Sequence, residues 1–235
     1  MPIKRIGHKG AHHLAPGNTA ASFDAALAHG VDMIEFDVMK HDGVLVLAHD
    51  PVDASERATM TLDEGLDHFA TDAYNNTGLD VDMKHPGFER YLADALAARG
   101  LSERTLVTSM HPESLTKLRQ HDPKLRLGLT VPRVGRDWTK SSRPIQILIL
   151  IVLVYLRLVM PRRAVRALTD GGFEAIVAYQ GVVSTRLVNA VARAGAELYV
   201  WTVDDAKKIA RFERMGVTGV ITNDPRLFDA VPNSA

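Results

Sequence analysis

Nine short apolar runs of strand character, at 3–10, 33–38, 44–50, 78–84, 105–109, 125–131, 175–179, 197–203 and 219–222, are mostly separated by segments of helical pattern. Parallel strands need a crossover between them, usually a helix, so this alternation predicts a parallel sheet with its helices packed outside. Eight or nine strands favour closure into a barrel over an open sheet. The expected fold is therefore α/β, a single TIM-type (β/α)8 barrel occupying residues 1–235 as one domain. One irregularity is expected between the second and third strands, where the few residues joining Val38 to Val44 leave no room for a crossover helix. A hairpin closed at His41-Asp42-Gly43 would pair residues whose numbers sum to 84, which sets His49 opposite Glu35.

Glu35 and Asp37 stand two apart in the second strand, so both point to the same side. Ordinary alternation would put Ile, Val or Leu there. Two adjacent carboxylates repel unless a cation lies between them, and their oxygens suit magnesium or calcium. Asp80, Asp82 and Lys84 share a face of the fourth run in the same way.

In a barrel the strand ends converge on one face, where the loops build the site. His8, Lys9, Glu35, Asp37, His49, Asp50, Asp82, Lys84 and Trp201 all fall at such ends. The carboxylates among them fit a hard divalent cation, the lysines fit an anion beside it, and two imidazoles fit a general base and a general acid. This inventory implies hydrolysis or cyclisation of a phosphodiester, with a metal-bound carboxylic substrate as the alternative on the same residues. All ten histidines precede Asp122, which places the acid–base chemistry in the first half. His12 and His13 read as surface loop residues.

Charge narrows the partners. Lys plus Arg and Asp plus Glu are 28 each, so no overall field recruits nucleic acid. The absence of cysteine removes thiolate metal sites and disulfides. The chain enters its first strand almost at once with no secretory signal before it, so the expected location is cytoplasmic.

The ordered motifs Gly7-His8-Lys9-Gly10, Pro16-Gly17-Asn18-Thr19, Ile34-Glu35-Phe36-Asp37, His49-Asp50-Pro51, Val81-Asp82-Met83-Lys84, Val200-Trp201-Thr202 and Thr222-Asn223-Asp224-Pro225 resemble those of the glycerophosphodiester phosphodiesterases. The resemblance implies an eight-stranded barrel that hydrolyses glycerophosphodiesters to glycerol 3-phosphate and an alcohol with bound magnesium or calcium. It implies His8 and His49 as the acid–base pair and Glu35, Asp37 and Asp82 as metal ligands. Lys9, Asn18, Lys84 and Trp201 fall to substrate binding. Three departures stand out: Lys9 for an arginine, Gly17 for a glutamate and Asp82 for a glutamate. The chain also lacks room for the inserted subdomain common in the family after His49-Asp50, which implies an open mouth and access for bulkier or membrane-borne substrates such as lysolipids. Related expectations are a lysophospholipase D-like or cyclic-phosphate-forming lipid phosphodiesterase at a membrane, and, from a different class, a non-catalytic barrel that binds phosphodiesters or membranes.

Residues 145–160 are apolar except for Gln146 and Arg157, with Lys140, Arg143, Arg162, Arg163 and Arg166 around them. As a helix the run reaches about 24 Å, short of a hydrocarbon core of about 30 Å. Three readings compete: a barrel helix covered by a partner copy, a peripheral membrane anchor with basic flanks, and a true span.

Overall fold

Strands that are apolar on the side facing helices, and helices with one apolar stripe, bury both surfaces only when the sheet is wrapped by the helices. The computed structural model describes residues 2–133 and 143–230, with backbone alone for 143–150. The chain runs β1 (Lys4–Gly7), α1 (Ala20–Ala28), β2 (Met33–His41), β3 (Val44–Val46), α2 (Pro51–Glu56), α3 (Leu62–Phe69), β4 (Gly78–Met83), α4 (Glu89–Ala98) and β5 (Thr105–Ser109). It continues through α5 (Pro112–His121), β6 (Arg126–Val131), α6 (Arg143–Gly171), β7 (Ala175–Tyr179), α7 (Thr185–Arg193), β8 (Glu197–Trp201), α8 (Ala206–Met215) and β9 (Gly219–Thr222). Among the described residues eight strands pair in parallel in the order β1-β9-β8-β7-β6-β5-β4-β2, and β1 pairs with β2 to close the ring. The TIM-type barrel expected from the alternation is formed.

β3 is the irregularity, and it corrects the expected register. His41 pairs with Val44, Lys40 with Leu45 and Met39 with Val46, so the paired numbers sum to 85. The reason is the turn: Asp42 and Gly43 both have positive φ (47° and 85°), the two-residue hairpin geometry that an Asp-Gly pair favours. The ladder ends at Met39–Val46, so His49 is not opposite Glu35; it reaches the rim on the loop that leads into α2. α2 itself was not expected; Asp50 caps it by accepting from the N–H groups of Val52 and Asp53. α4 begins at Glu89 rather than at Pro86.

Along β2, Ile34, Phe36 and Val38 join the core between strands and helices, while Met33, Glu35 and Asp37 belong to the opposite, inward face. Ile6, Met33, Leu106, Val177, Tyr199 and Ile221 fill the barrel below the carboxylates. At the N-terminal ends of the strands the interior is closed by charge. Glu197 accepts from Lys4 Nζ at Oε1 (2.9 Å) and from the Tyr199 hydroxyl at Oε2 (2.7 Å), and Arg126 pairs with that same Oε2. Burial works to raise the Glu197 carboxyl, but the hydrogen bonds from Lys4 and Tyr199 and the Arg126 charge outweigh it, so the net displacement is downward from 4.5. A carboxyl held down in the native state adds stability above its ordinary value and loses it as pH falls through the lowered one. Glu197→Gln is therefore expected to cost about 1–3 kcal/mol at neutral pH. In urea denaturation the deficit should shrink as pH drops below 4.5.

α6 extends the apolar run at both ends. Met160, Ala164 and Leu168 are buried, with Leu153 and Leu156 packed partly against the same core, so one face lies along the barrel. That lateral packing is not what a spanning helix would do, and among the described residues no helix is long and apolar enough to cross a membrane. Lys140 and the side chains of 143–150, Gln146 included, lie outside the described residues.

Candidate active site

The loop after β1 is bent around Glu35. Lys9 takes a positive φ of 52°, which aims its N–H at Glu35 Oε2 (2.8 Å). Gly10 follows at φ 82° and donates to the Glu35 carbonyl; a Cβ there would lie 2.5 Å from the Ser22 carbonyl oxygen, so only glycine fits. Ser22, in the first turn of α1, donates its hydroxyl to the Lys9 carbonyl (2.7 Å). Thr19 caps that helix.

Parallel register then brings the acids together. Glu35 is level with Asp80 and Asp37 with Asp82. Ligand oxygens of Glu35, Asp37 and Asp82 all lie within 4.8 Å of one another. Lys84 Nζ lies 2.5 Å from Asp37 Oδ1 and also donates to Asp82, and Lys9 Nζ lies 3.7 Å from Asp37 Oδ2. Burial pushes Glu35 well above the ordinary carboxylate range, and Asp37 beside it pushes further. Burial would raise Asp37 too, but the charges of Lys84 and Lys9 overcome it and hold Asp37 well below that range. Lys84, which burial alone would discharge, is kept protonated chiefly by Asp37 and Asp82. Asp80 lies deeper: burial pushes it up to about 7 against the hydrogen bond from Thr108.

The two histidines are set differently. Asp204 accepts from the Asn223 N–H and from its Nδ2, which turns the Asn223 amide oxygen toward His8 Nδ1 at 2.6 Å. An amide oxygen only accepts, so Nδ1 carries the hydrogen and Nε2, 3.9 Å from Glu35 Oε2, presents a lone pair to the cleft. Burial lowers His8 to about 4, with Asp37 opposing and Lys9 reinforcing. His49 is half exposed and its Nδ1 is 3.0 Å from Asp50 Oδ2.

His8, Glu35, His49, Asp82, Lys84 and Trp201 line one cleft at the C-terminal ends of the strands. Asn18, read from sequence as a substrate contact, is instead wholly buried behind Asp37. Its Nδ2 donates to Asp37 Oδ2 (2.9 Å) and its Oδ1 accepts from the Asp37 N–H (3.0 Å). It adopts φ 58°, which asparagine tolerates and alanine does not. Asn18→Gly, which keeps the backbone relaxed, is expected to lower activity about 10–100-fold with the fold retained. A kinetic assay beside circular dichroism checks both halves. His12 and His13 are exposed, as expected of loop residues. Sequence reasoning misses Asp204 altogether, meets Asn223 only inside the Thr222–Pro225 motif, and meets Asp80 only in its shared face with Asp82.

A family model described as the glycerophosphoryl diester phosphodiesterase family matches residues 8–72 and 53–227. A glycerophosphodiester phosphodiesterase of Caldanaerobacter subterraneus is 26% identical over 94% of this chain and 93% of its own length. One from Bacillus subtilis is 24% identical over 97% and 86%. Among solved structures, an Oleispira antarctica phosphodiesterase in complex with the product sn-glycerol-3-phosphate superposes with a TM-score of 0.71 at 18% identity, covering 98% of this chain and 96% of that one. A glycerophosphodiester phosphodiesterase from Agrobacterium tumefaciens gives 0.70 at 22% identity, over 96% and 99%.

Proposed function

Because the chain belongs to the glycerophosphoryl diester phosphodiesterase family, we propose that it is a phosphoric diester hydrolase that converts glycerophosphodiesters to glycerol 3-phosphate and an alcohol with a divalent cation, magnesium or calcium. The observation that carries this reading is the convergence of Glu35, Asp37 and Asp82 within one cleft lined also by His8 and His49. The same reading takes residues 1–235 as one barrel domain.

The donor set suits such a cation. Four buried or half-buried acids (Glu35, Asp37, Asp80 and Asp82) face two ammonium groups, so the cleft offers more carboxyl oxygens than Lys9 and Lys84 can pair, and a hard ion would favour the ionised form of Glu35 that burial disfavours. Glu35, Asp37 and Asp82 would hold it, and when bound it supplies positive charge against the phosphate. Lys9 and Lys84 add charge around the same anion. Through its Nε2 lone pair His8 acts as general base on the attacking oxygen, either water or the substrate's own 2-hydroxyl. Its opposite number is His49, whose Nδ1 is engaged by Asp50; His49 protonates the leaving alcohol. Among the described residues Asp80 Oδ2, Thr130 Oγ1 and Trp201 Nε1 are buried in the cleft wall without hydrogen-bond partners, and the hydroxyls of a glycerol moiety would satisfy such groups.

Attack by the 2-hydroxyl would leave a cyclic phosphate instead of the open product, and a lysolipid substrate would require the enzyme at a lipid surface. The test is turnover of glycerophosphocholine by metal-stripped protein resupplied with magnesium, calcium or manganese, followed by phosphorus NMR. Glycerol 3-phosphate as the metal-dependent product supports the reading; a cyclic product shifts it to the alternative chemistry. No turnover with any of the three ions would leave a binding barrel.

A further inference from the structure

The chain has no net charge, yet between Asp137 and Asp170 it carries Lys140, Arg143, Arg157, Arg162, Arg163 and Arg166 and no acid. Most of α6 lies in that interval. Its barrel face is taken by Leu153, Leu156, Met160, Ala164 and Leu168, and the opposite face begins apolar and ends basic. Ile151 and Leu158 are 60% and 61% exposed, and Val154 and Tyr155 between them more than half exposed. The next turns along that face bring Arg162 and Arg166, both exposed.

The apolar part lies at the catalytic end of the barrel. Leu156 lines a groove with Val131, the last residue of β6, and Leu153 is close enough to Gly181 that a Cβ there would lie 3.5 Å from it. Gly181 packs on Tyr179, whose ring is 5.7 Å from that of Trp201 in the cleft. α6 starts about 20 Å before Leu156 along its axis, so its first turns run past the strand ends. The groove beside it, of ≈ 200 Å³, joins the apolar side chains of Leu129 and Met160 to the guanidinium groups of Arg133 and Arg163.

We propose that the exposed apolar stretch of α6 from Ile151 to Leu158, with the arginines that follow it, docks this barrel on an anionic lipid bilayer so that the mouth of the cleft faces the membrane. Apolar turns enter the boundary between headgroups and acyl chains, and Arg157, Arg162, Arg163 and Arg166 meet lipid phosphates. A second copy of the chain is a poorer occupant. The exposed apolar patch among the described residues is on the order of a few hundred Å², below the roughly 800 Å² per partner of a standard interface. Self-association through it would also bring two acid-free basic segments together. The proposal deepens the lysolipid side of the proposed function, but docking does not require turnover.

The test is co-sedimentation of the full chain with vesicles of phosphatidylcholine alone and of phosphatidylcholine mixed with phosphatidylglycerol. Binding at least about tenfold stronger to the mixed vesicles, weakened by salt, is expected. The combined variant Ile151→Ser, Tyr155→Ser, Leu158→Ser should lose at least about tenfold of it, and Arg162→Glu with Arg166→Glu should abolish the preference for anionic lipid. Equal pelleting of the wild type and the serine variant, or none by the wild type, overturns the proposal. So does dimerisation in analytical ultracentrifugation that the serine variant removes without any vesicle binding. Unchanged turnover of glycerophosphocholine by the serine variant shows that its site is intact. Vesicle binding without turnover in the wild type would sink the hydrolase reading and leave the docking surface standing.

Discussion

His8→Ala and His49→Ala are each expected to lower turnover of glycerophosphocholine at least about a hundredfold, with far-UV circular dichroism unchanged. The two losses should separate when the leaving group changes. A p-nitrophenyl phosphodiester of glycerol releases a stable anion and needs no proton from the enzyme. His49→Ala should therefore regain most of its lost rate on that substrate, whereas His8→Ala should not, because the attacking oxygen must still lose its proton. The assignment rests on hydrogen-bond polarity: Asp204 orients Asn223, and the Asn223 amide oxygen fixes the hydrogen on His8 Nδ1. Equal rescue of both variants would reverse or void the roles. Wild-type rates in either would remove it from the chemistry.

Burial also ties His8 to acid stability. With its folded value near 4 against an ordinary 6.5, the unfolded ring binds a proton in that window that the folded ring refuses. Stability of the metal-free protein therefore falls as pH drops from 6.5 toward 4, by about 1.4 kcal/mol per pH unit at most for this one group. His8→Ala should flatten that part of the profile.

What could be read from the sequence was whatever depends on alternation along one strand. Glu35 and Asp37 interrupt an apolar strand at the inward positions, and the barrel needs only the order of elements, so fold and carboxylate cluster were both legible. Register across the hairpin was not, because it turned on whether the loop held two residues or three, and the positive φ of Asp42 decided it. Asn18 carried a motif but not a direction: the same side chain that could face a ligand faces the Asp37 backbone and carboxylate. Asn223 is far from His8 in sequence and meets it because β9 lies beside β1. Long-range polar contacts of this kind leave no periodic trace in a single chain.

Glu35→Gln should leave the melting temperature of the metal-free protein nearly unchanged while removing its response to metal. Glu35 is buried and pushed well above the ordinary range, first by that burial and then by Asp37, so without a cation its carboxyl is held in the neutral form. Glutamine is neutral and of the same shape, and its amide oxygen can keep the hydrogen bond from the Lys9 N–H. In the wild type, magnesium or calcium at a hundredfold over its dissociation constant adds about 2.7 kcal/mol, a rise of about 5–10 °C for a chain of this length. Binding must release the Glu35 proton, so affinity strengthens as pH rises. Asp37→Asn makes the contrasting case. Asp37 is held ionised by Lys84 and Lys9, and its loss leaves the buried Lys84 ammonium with half its partners, so about 3–5 kcal/mol should vanish even without metal. Differential scanning fluorimetry on both variants, with and without ion, reads the two effects separately. A wild-type metal response in Glu35→Gln would show that the cation does not use this carboxylate, and a metal-free Asp37→Asn as stable as the parent would show that Lys84 is not held by Asp37.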